Sequence, residues 1–168
     1  MKQYVILAVD DEPNVVRAVK RTLESADYRV ITANGADEAD SILAVEPVDL
    51  IVSDQKMPGR SGIEFLEATV SKYPDVVRIL LTGYADLETA MRAVNSGCVY
   101  KFLLKPWQNE DLFVTVKRAL EQRDLILENR DLTSQLKIKD AMLRELEKQY
   151  PGITAKPKDG IYEIGKNE

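Results

Sequence analysis

A parallel α/β sheet of five strands, covered by helices on both faces and followed by one long helix, is the fold class this sequence predicts. Three observations carry it: five short apolar runs of strand length, a helix-spaced apolar pattern after each, and connections too long for hairpins. Alternation of this kind, with strands apolar along nearly their whole length, belongs to sheets buried on both faces.

The elements follow in order. "YVILAV" (4–9) reads as the first strand, and Val15, Val16, Val19 and Leu23 then recur at helical spacing. "YRVITA" (28–33) is the second, followed by a helix on Ala36, Ala39, Ile42 and Leu43 that Pro47 ends. "VDLIVS" (48–53) is the third; a loop with Pro58, Gly59 and Gly62 leads to a helix on Ile63, Phe65, Leu66 and Val70. "VVRILLT" (76–82) is the fourth, with a helix from about Leu87 to Ser96 before Gly97. "VYKFLL" (99–104) is the fifth, and a last helix begins near Gln108.

Composition bounds the chemistry. At 168 residues, 45% hydrophobic and 30% charged, the chain holds one ordinary domain with an appendage and is too apolar for disorder. The apolar runs are of strand length, so no membrane span is expected. Met1 leads straight into a strand, so no signal peptide is expected. A single cysteine, Cys98, cannot form an internal disulfide, and a cytoplasmic location fits. The net charge of −5 argues against direct nucleic-acid binding, which needs a basic stripe. Histidine is absent, and that excludes Ser-His-Asp and Cys-His nucleophiles, histidine metal sites and a phosphohistidine carried by this chain.

In parallel sheets ligands bind outside the carboxyl ends of the strands. At those ends stand Asp10 and Asp11 after the first strand, Asp54 after the third, Thr82 at the end of the fourth and Lys105 after the fifth, with Gly83 letting the chain turn away from Thr82. Each has a plainer reading: Asp11 or Glu12 caps the first helix, Asp54 forms a turn, Thr82 bonds its own backbone, Lys105 is a solvated charge. Three acids, a hydroxyl and an ammonium at one sheet edge favour a shared site instead. Clustered carboxylates raise one another's pKa unless a cation neutralises them, and an oxygen-only donor set prefers magnesium to zinc. A carboxylate beside magnesium is a competent phosphoryl acceptor, and phosphoryl transfer needs mainly alignment and positive charge.

The segments "VDDEPN", "VSDQKMPGRSGIEFL", "LLTGYAD" and "KFLLKPW" together resemble the receiver domain of two-component response regulators, CheY-like, over about residues 3–122. The resemblance implies a (βα)5 flavodoxin-like, doubly wound sheet and phosphorylation of Asp54 by a sensor histidine kinase or phosphotransfer protein. It implies direct magnesium ligation by Asp11, a largely water-mediated contact from Asp10, and a backbone carbonyl contact from Lys56. Thr82 and Lys105 would bond the phosphoryl oxygens, and Phe102 would be the switch aromatic that moves as Thr82 turns, its plainer reading being strand packing. A cis peptide between Lys105 and Pro106 follows from the same resemblance. Lys56 and Tyr84 occupy the positions thought to set phosphoryl lifetime; both are bulky, so the phosphoryl group is expected to persist for longer than seconds. Kinase specificity is expected on the first helix, Val15 to Ser25, and in the loop after the fifth strand.

Beyond residue 122 the helical pattern runs on to about Gln149. Leu125, Asn129, Leu132, Leu136, Lys139, Leu143, Leu146 and Tyr150 alternate spacings of four and three, a heptad seam apolar at six of eight places. The flanking Glu128, Thr133, Asp140 and Glu147 show little charge complementarity, so a coil is expected to be weak alone. The alternative is an amphipathic helix lying on its own domain or serving a further module. The expected organisation is thus a receiver at 1–122, a helical extension and candidate coiled coil at 123–150, and a linker or tail at 151–168, where an Asp-Gly turn separates two β-prone pieces.

The leading functional expectation is a magnesium-dependent phosphoacceptor that switches homodimerisation or partner docking through its last helix, without enzymatic activity beyond self-phosphorylation and self-dephosphorylation. A second is the N-terminal regulatory fragment of a larger signalling enzyme, a cyclic-dinucleotide phosphodiesterase or hybrid histidine kinase. A degenerate scaffold is a third, disfavoured by the complete acidic set.

Overall fold

The structure is a computed structural model and describes residues 3–24 and 28–154. Its elements are β1 (Val5–Val9), α1 (Pro13–Glu24), β2 (Arg29–Ala33), α2 (Ala36–Leu43), β3 (Leu50–Asp54), α3 (Gly62–Lys72), β4 (Val77–Thr82), a 3₁₀ turn (Tyr84–Asp86), α4 (Leu87–Asn95), β5 (Lys101–Leu104) and α5 (Asn109–Gln149). The five strands form one parallel sheet in the order β2-β1-β3-β4-β5. This is the flavodoxin-like, doubly wound arrangement, in which the strand order reverses beside β1 and opens a crevice between β1 and β3.

Period-two alternation along the strands divides the core into two layers. Leu7, Val9, Ile51 and Leu80 face one layer with Ala39, Phe65, Leu66 and Ala90 from α2, α3 and α4. Ile6, Ala8, Leu50, Val52, Ile79 and Leu81 face the other with Val19 and Leu23 of α1 and Leu112, Val116 and Leu120 of α5. The three central strands are therefore buried on both sides, which is why they read as unbroken apolar runs.

Several boundaries differ from the sequence reading for local reasons. β5 starts at Lys101 rather than Val99, because the Val99 amide bonds Ala93 O (3.1 Å) at the end of α4. β3 extends to Asp54, which pairs with Leu81, so this residue lies inside the strand rather than after it. Val70 is 38% exposed: the buried face of α3 centres on Leu66 and Thr69 and leaves Val70 on its flank. Gly83 has φ −88° and open space around a would-be Cβ, so the turn after Thr82 does not depend on glycine. The Lys105–Pro106 peptide is cis.

Two polar features, one in the core and one at a helix start, support the fold. Arg78 sits buried in β4, where its guanidinium donates to Cys98 O (2.7 Å) and Tyr73 O (3.3 Å). Ser61 and Glu64 form a reciprocal capping box at the start of α3, Glu64 N to Ser61 Oγ (3.2 Å) and Ser61 N to Glu64 Oε2 (2.8 Å). The box seats Gly62, the first residue of α3, directly on the backbone of β3.

α5 runs without interruption to Gln149, while the described chain divides into two compact units between Leu125 and Ile126. In the second unit the helix ends where Glu147 accepts bonds from Gly152 N (2.6 Å) and Thr154 N (3.0 Å), with Gly152 at φ 91°. The seam side chains Leu132, Leu136, Leu143, Leu146 and Tyr150 are exposed there, and Leu125 is exposed at the end of the first unit. The expected Asp-Gly turn at Asp159 lies outside the described residues, as does Ser25 at the end of the expected kinase-recognition segment.

A Cβ on Gly62 would lie 2.0 Å from Asp54 O and 2.8 Å from Asp54 C, and neither backbone atom can yield as a flexible side chain would. Gly62→Ala is expected to cost about 3 kcal/mol through forced displacement of α3 or of the Asp54 backbone. Urea denaturation checks it; a loss within experimental error of zero would show that the close approach is not enforced.

Candidate functional site

The carboxyl edge of the sheet gathers the side chains that the sequence placed at strand ends. β1 delivers Asp10, β3 delivers Asp54 and β4 delivers Thr82, all three buried, while Asp11 is exposed beside them. Lys105, just past β5, is anchored by its own amide to Thr82 O (2.8 Å). Its ammonium lies 2.7 Å from Asp54 Oδ1 and 3.3 Å from Asp10 Oδ2. One carboxylate oxygen from each of Asp10, Asp11 and Asp54 falls within 4.8 Å of the others.

Asp10 is further fixed through Oδ1, which accepts the Glu12 amide (2.9 Å). The side-chain bond at the entry to α1 therefore comes from Asp10, one residue earlier than the sequence suggested. Burial pushes the Asp10 carboxyl above its ordinary 3.8, and the Asp54 charge adds to this, against the pull of the Glu12 amide and Lys105. Burial alone would lower the Lys105 ammonium, yet the hydrogen bond and charge of Asp54, joined by Asp10, hold it above its ordinary 10.5.

Thr82 is fully buried and its Oγ1 donates to Gly83 O (3.3 Å), the plain backbone bond. Phe102 is partly buried against the α2–α4 layer of the core. Tyr84 is 74% exposed at the start of the 3₁₀ turn. Lys56 Nζ approaches Asp86 Oδ2 at 3.7 Å, and that oxygen is enclosed without a hydrogen-bond partner among the described residues.

Three residues of the site's support were missed in the sequence. Gln55 accepts the Ile63 amide through Oε1 (3.0 Å) and the Gly62 amide through its carbonyl (2.9 Å), locking α3 to the residue after Asp54. Gly62 permits that approach, and Asp86 faces Lys56. The capping pattern Ser61–Glu64 was the available signal for Gly62; Gln55 and Asp86 carry no pattern of their own.

The donor set fits a hard divalent cation. Three carboxylates offer oxygen ligands at short separation, without thiolate or imidazole.

The response regulator receiver domain model matches residues 6–117. The hydrogenase transcriptional regulatory protein HoxA of Cupriavidus necator is 38% identical over 148 residues, covering 88% of this chain and 30% of that protein. The C4-dicarboxylate transport transcriptional regulatory protein DctD of Pseudomonas aeruginosa is 38% identical over 130 residues, covering 77% and 28%. The chain thus spans about 30% of the length of the curated relatives it matches. Among solved structures, one described as adenylate cyclase from Rhodopirellula baltica aligns with TM-score 0.74 at 36% identity over 79% of this chain and 98% of that one. A response regulator receiver domain protein from Clostridium thermocellum aligns with TM-score 0.69 at 30% identity over 73% and 98%.

Because folding raises the Asp10 carboxyl, its stabilising contribution is full below 3.8 and is lost as pH rises through the folded value. Magnesium, which takes the ionised form, is expected to raise the melting temperature at pH 7, with the gain vanishing toward pH 4. Thermal melts with magnesium and with chelator check this; an equal gain at both pH values would place the metal elsewhere.

Proposed function

We propose, given that this chain belongs to the response regulator receiver domain family, that Asp54 accepts a phosphoryl group from a sensor histidine kinase or phosphotransfer protein and that α5 relays the change. The observation that carries this reading is the Lys105 ammonium held 2.7 Å from Asp54 Oδ1 and 3.3 Å from Asp10 Oδ2.

Asp11 and Asp54 would hold magnesium directly, Asp10 largely through water and Lys56 through its main-chain carbonyl. When bound, the ion supplies the charge that offsets three clustered acids and the incoming phosphate. An Asp54 carboxylate oxygen attacks phosphorus, the P–N bond to the donor imidazole breaks, and the imidazole leaves with the electron pair. Lys105 then pairs with a phosphoryl oxygen. The Thr82 hydroxyl exchanges the Gly83 carbonyl for another, with Phe102 moving inward behind it.

The output surface is the α5 extension. Leu125, Leu132, Leu136, Leu143, Leu146 and Tyr150 are all exposed in the single chain. Burying one such side chain is worth about 1.5–3 kcal/mol, so pairing with a second copy offsets the cost of association. Asn129 and Lys139 at the remaining seam positions weaken the pair and make it responsive. A bistable helix pair biased by the state of Asp54 is a sufficient switch.

A second reading is supported by the span of the relatives: the same switch serving as the regulatory segment of a longer protein. The curated relatives are named transcriptional regulators and one structural neighbour an adenylate cyclase, which extends the class of outputs beyond a cyclic-dinucleotide phosphodiesterase or hybrid kinase. Direct nucleic-acid contact by this chain is disfavoured by its charge of −5. No helix among the described residues is long and apolar enough to cross a membrane.

Incubation with a labelled small-molecule phosphodonor and magnesium is expected to label the wild type for longer than seconds and to leave Asp54→Asn unlabelled, its circular dichroism unchanged. Alanine at both Lys56 and Tyr84 is expected to shorten the label's life several-fold. Persistent labelling of folded Asp54→Asn would overturn the assignment.

A further inference from the structure

The three strands that end on the acidic site also share a beginning, and one side chain of α5 binds there. Arg123 donates from Nε to Asp75 O (2.7 Å), just ahead of β4, and pairs through Nη2 with Asp49 Oδ1 (3.1 Å), just ahead of β3. Asp49 Oδ2 accepts the amide of Val5 (2.9 Å), the first residue of β1. The side chains of Arg123 and Asp49 are 11% and 7% exposed. Next to Arg123, Asp124 binds it through Oδ1 (3.1 Å) and accepts the Tyr4 hydroxyl through Oδ2. The Tyr4 ring meets Tyr28, ahead of β2, edge-on at 6.1 Å and 70°. The hydrogen bond to Asp124, with burial second, pushes the Tyr4 phenol up to about 12, so it remains a donor throughout the physiological range.

We propose that Arg123 is a positioning residue that clamps the last turn of α5 in the first unit to the starts of β1, β3 and β4, and thereby couples the state of Asp54 to residues 126–149. A planar guanidinium holding acceptors in several directions fixes rotation about the helix axis, which a flexible ammonium does not. At 3.6 residues per turn, fixing residue 123 fixes the direction of Leu125, where the exposed seam begins. Asp10, Asp54 and Thr82 sit at the far ends of the same three strands, each a rigid segment of five or six residues. Buried ion pairs stabilise little relative to apolar substitutes and are best attested where they specify one arrangement.

The inference rests on the reading that α5 carries the output, and the test separates the two. Amide hydrogen exchange of the full chain is measured with magnesium, with and without beryllofluoride, which mimics the phosphoryl group on Asp54. Fluorescence of Trp107, the one tryptophan, reports beryllofluoride binding. In Arg123→Gln, exchange at residues 119–125 is expected to rise at least about tenfold, as for a helix end released from tertiary contacts. Beryllofluoride affinity is expected to stay at the wild-type value, while the beryllofluoride-dependent change at 126–149 disappears. Arg123→Lys is expected to restore it only in part. If Arg123→Gln fails to fold, Tyr4→Phe, which removes the bond to Asp124, is expected to show the same losses in smaller degree. Unchanged exchange at 119–125 would overturn the clamp, and an undiminished response at 126–149 would overturn the coupling. A wild type with no response at 126–149 would instead overturn the output reading and the coupling with it, leaving the clamp to be judged on residues 119–125.

Discussion

One ammonium between two buried carboxylates is the constraint around which the molecule is built. Asp10 and Asp54 are each carried to the sheet edge by a strand with no freedom to withdraw, since Leu7, Val9, Ile51 and Val52 behind them are packed on both faces. Two like charges so placed would repel at considerable cost, and Lys105 reduces that cost from 2.7 and 3.3 Å. The arrangement is only partly compensated: three acids answer to one cation, and burial, with the Asp54 charge adding to it, holds the Asp10 carboxyl above its ordinary range. On the proposed function, that shortfall of positive charge is what a bound metal ion would supply.

Much of this could be seen in the sequence, for a definite reason. The central strands are buried on both sides, so they appear as unbroken apolar runs, and parallel connectivity then brings Asp10, Asp54, Thr82 and Lys105 to one edge whatever the loops do. Apolar periodicity and strand-end chemistry were enough. Features that depend on three-dimensional fit were not accessible in the same way. The close approach of Gly62 to Asp54 is a property of two backbones, and Gln55 is an ordinary residue whose amide happens to meet Ile63. Arg78 interrupts an apolar run without signalling that carbonyl oxygens await it. Arg123 is one charge among many on a long helix, and only its bonds at the sheet's far edge distinguish it. Gly83 taught the opposite lesson, since a glycine beside a turn occupied a conformation open to any residue.

The long helix joins two physical regimes. Up to Leu120 it is a core element, with Leu112, Val116 and Ala119 filling the layer beneath β1, β3 and β4. Beyond Leu125 the apolar residues Leu132, Leu136, Leu143 and Leu146 are exposed, and a helix persists there through favourable propensity, side-chain pairs, or a partner. In the proposed function, that contrast is why the extension, rather than the core part of the helix, carries the output.

The most direct measurement is the solution mass of the chain by light scattering, in magnesium alone and then with beryllofluoride, binding being verified by Trp107 fluorescence. The account predicts a shift from monomer toward dimer as the 125–150 seam closes. An unchanged monomer with beryllofluoride bound would contradict it.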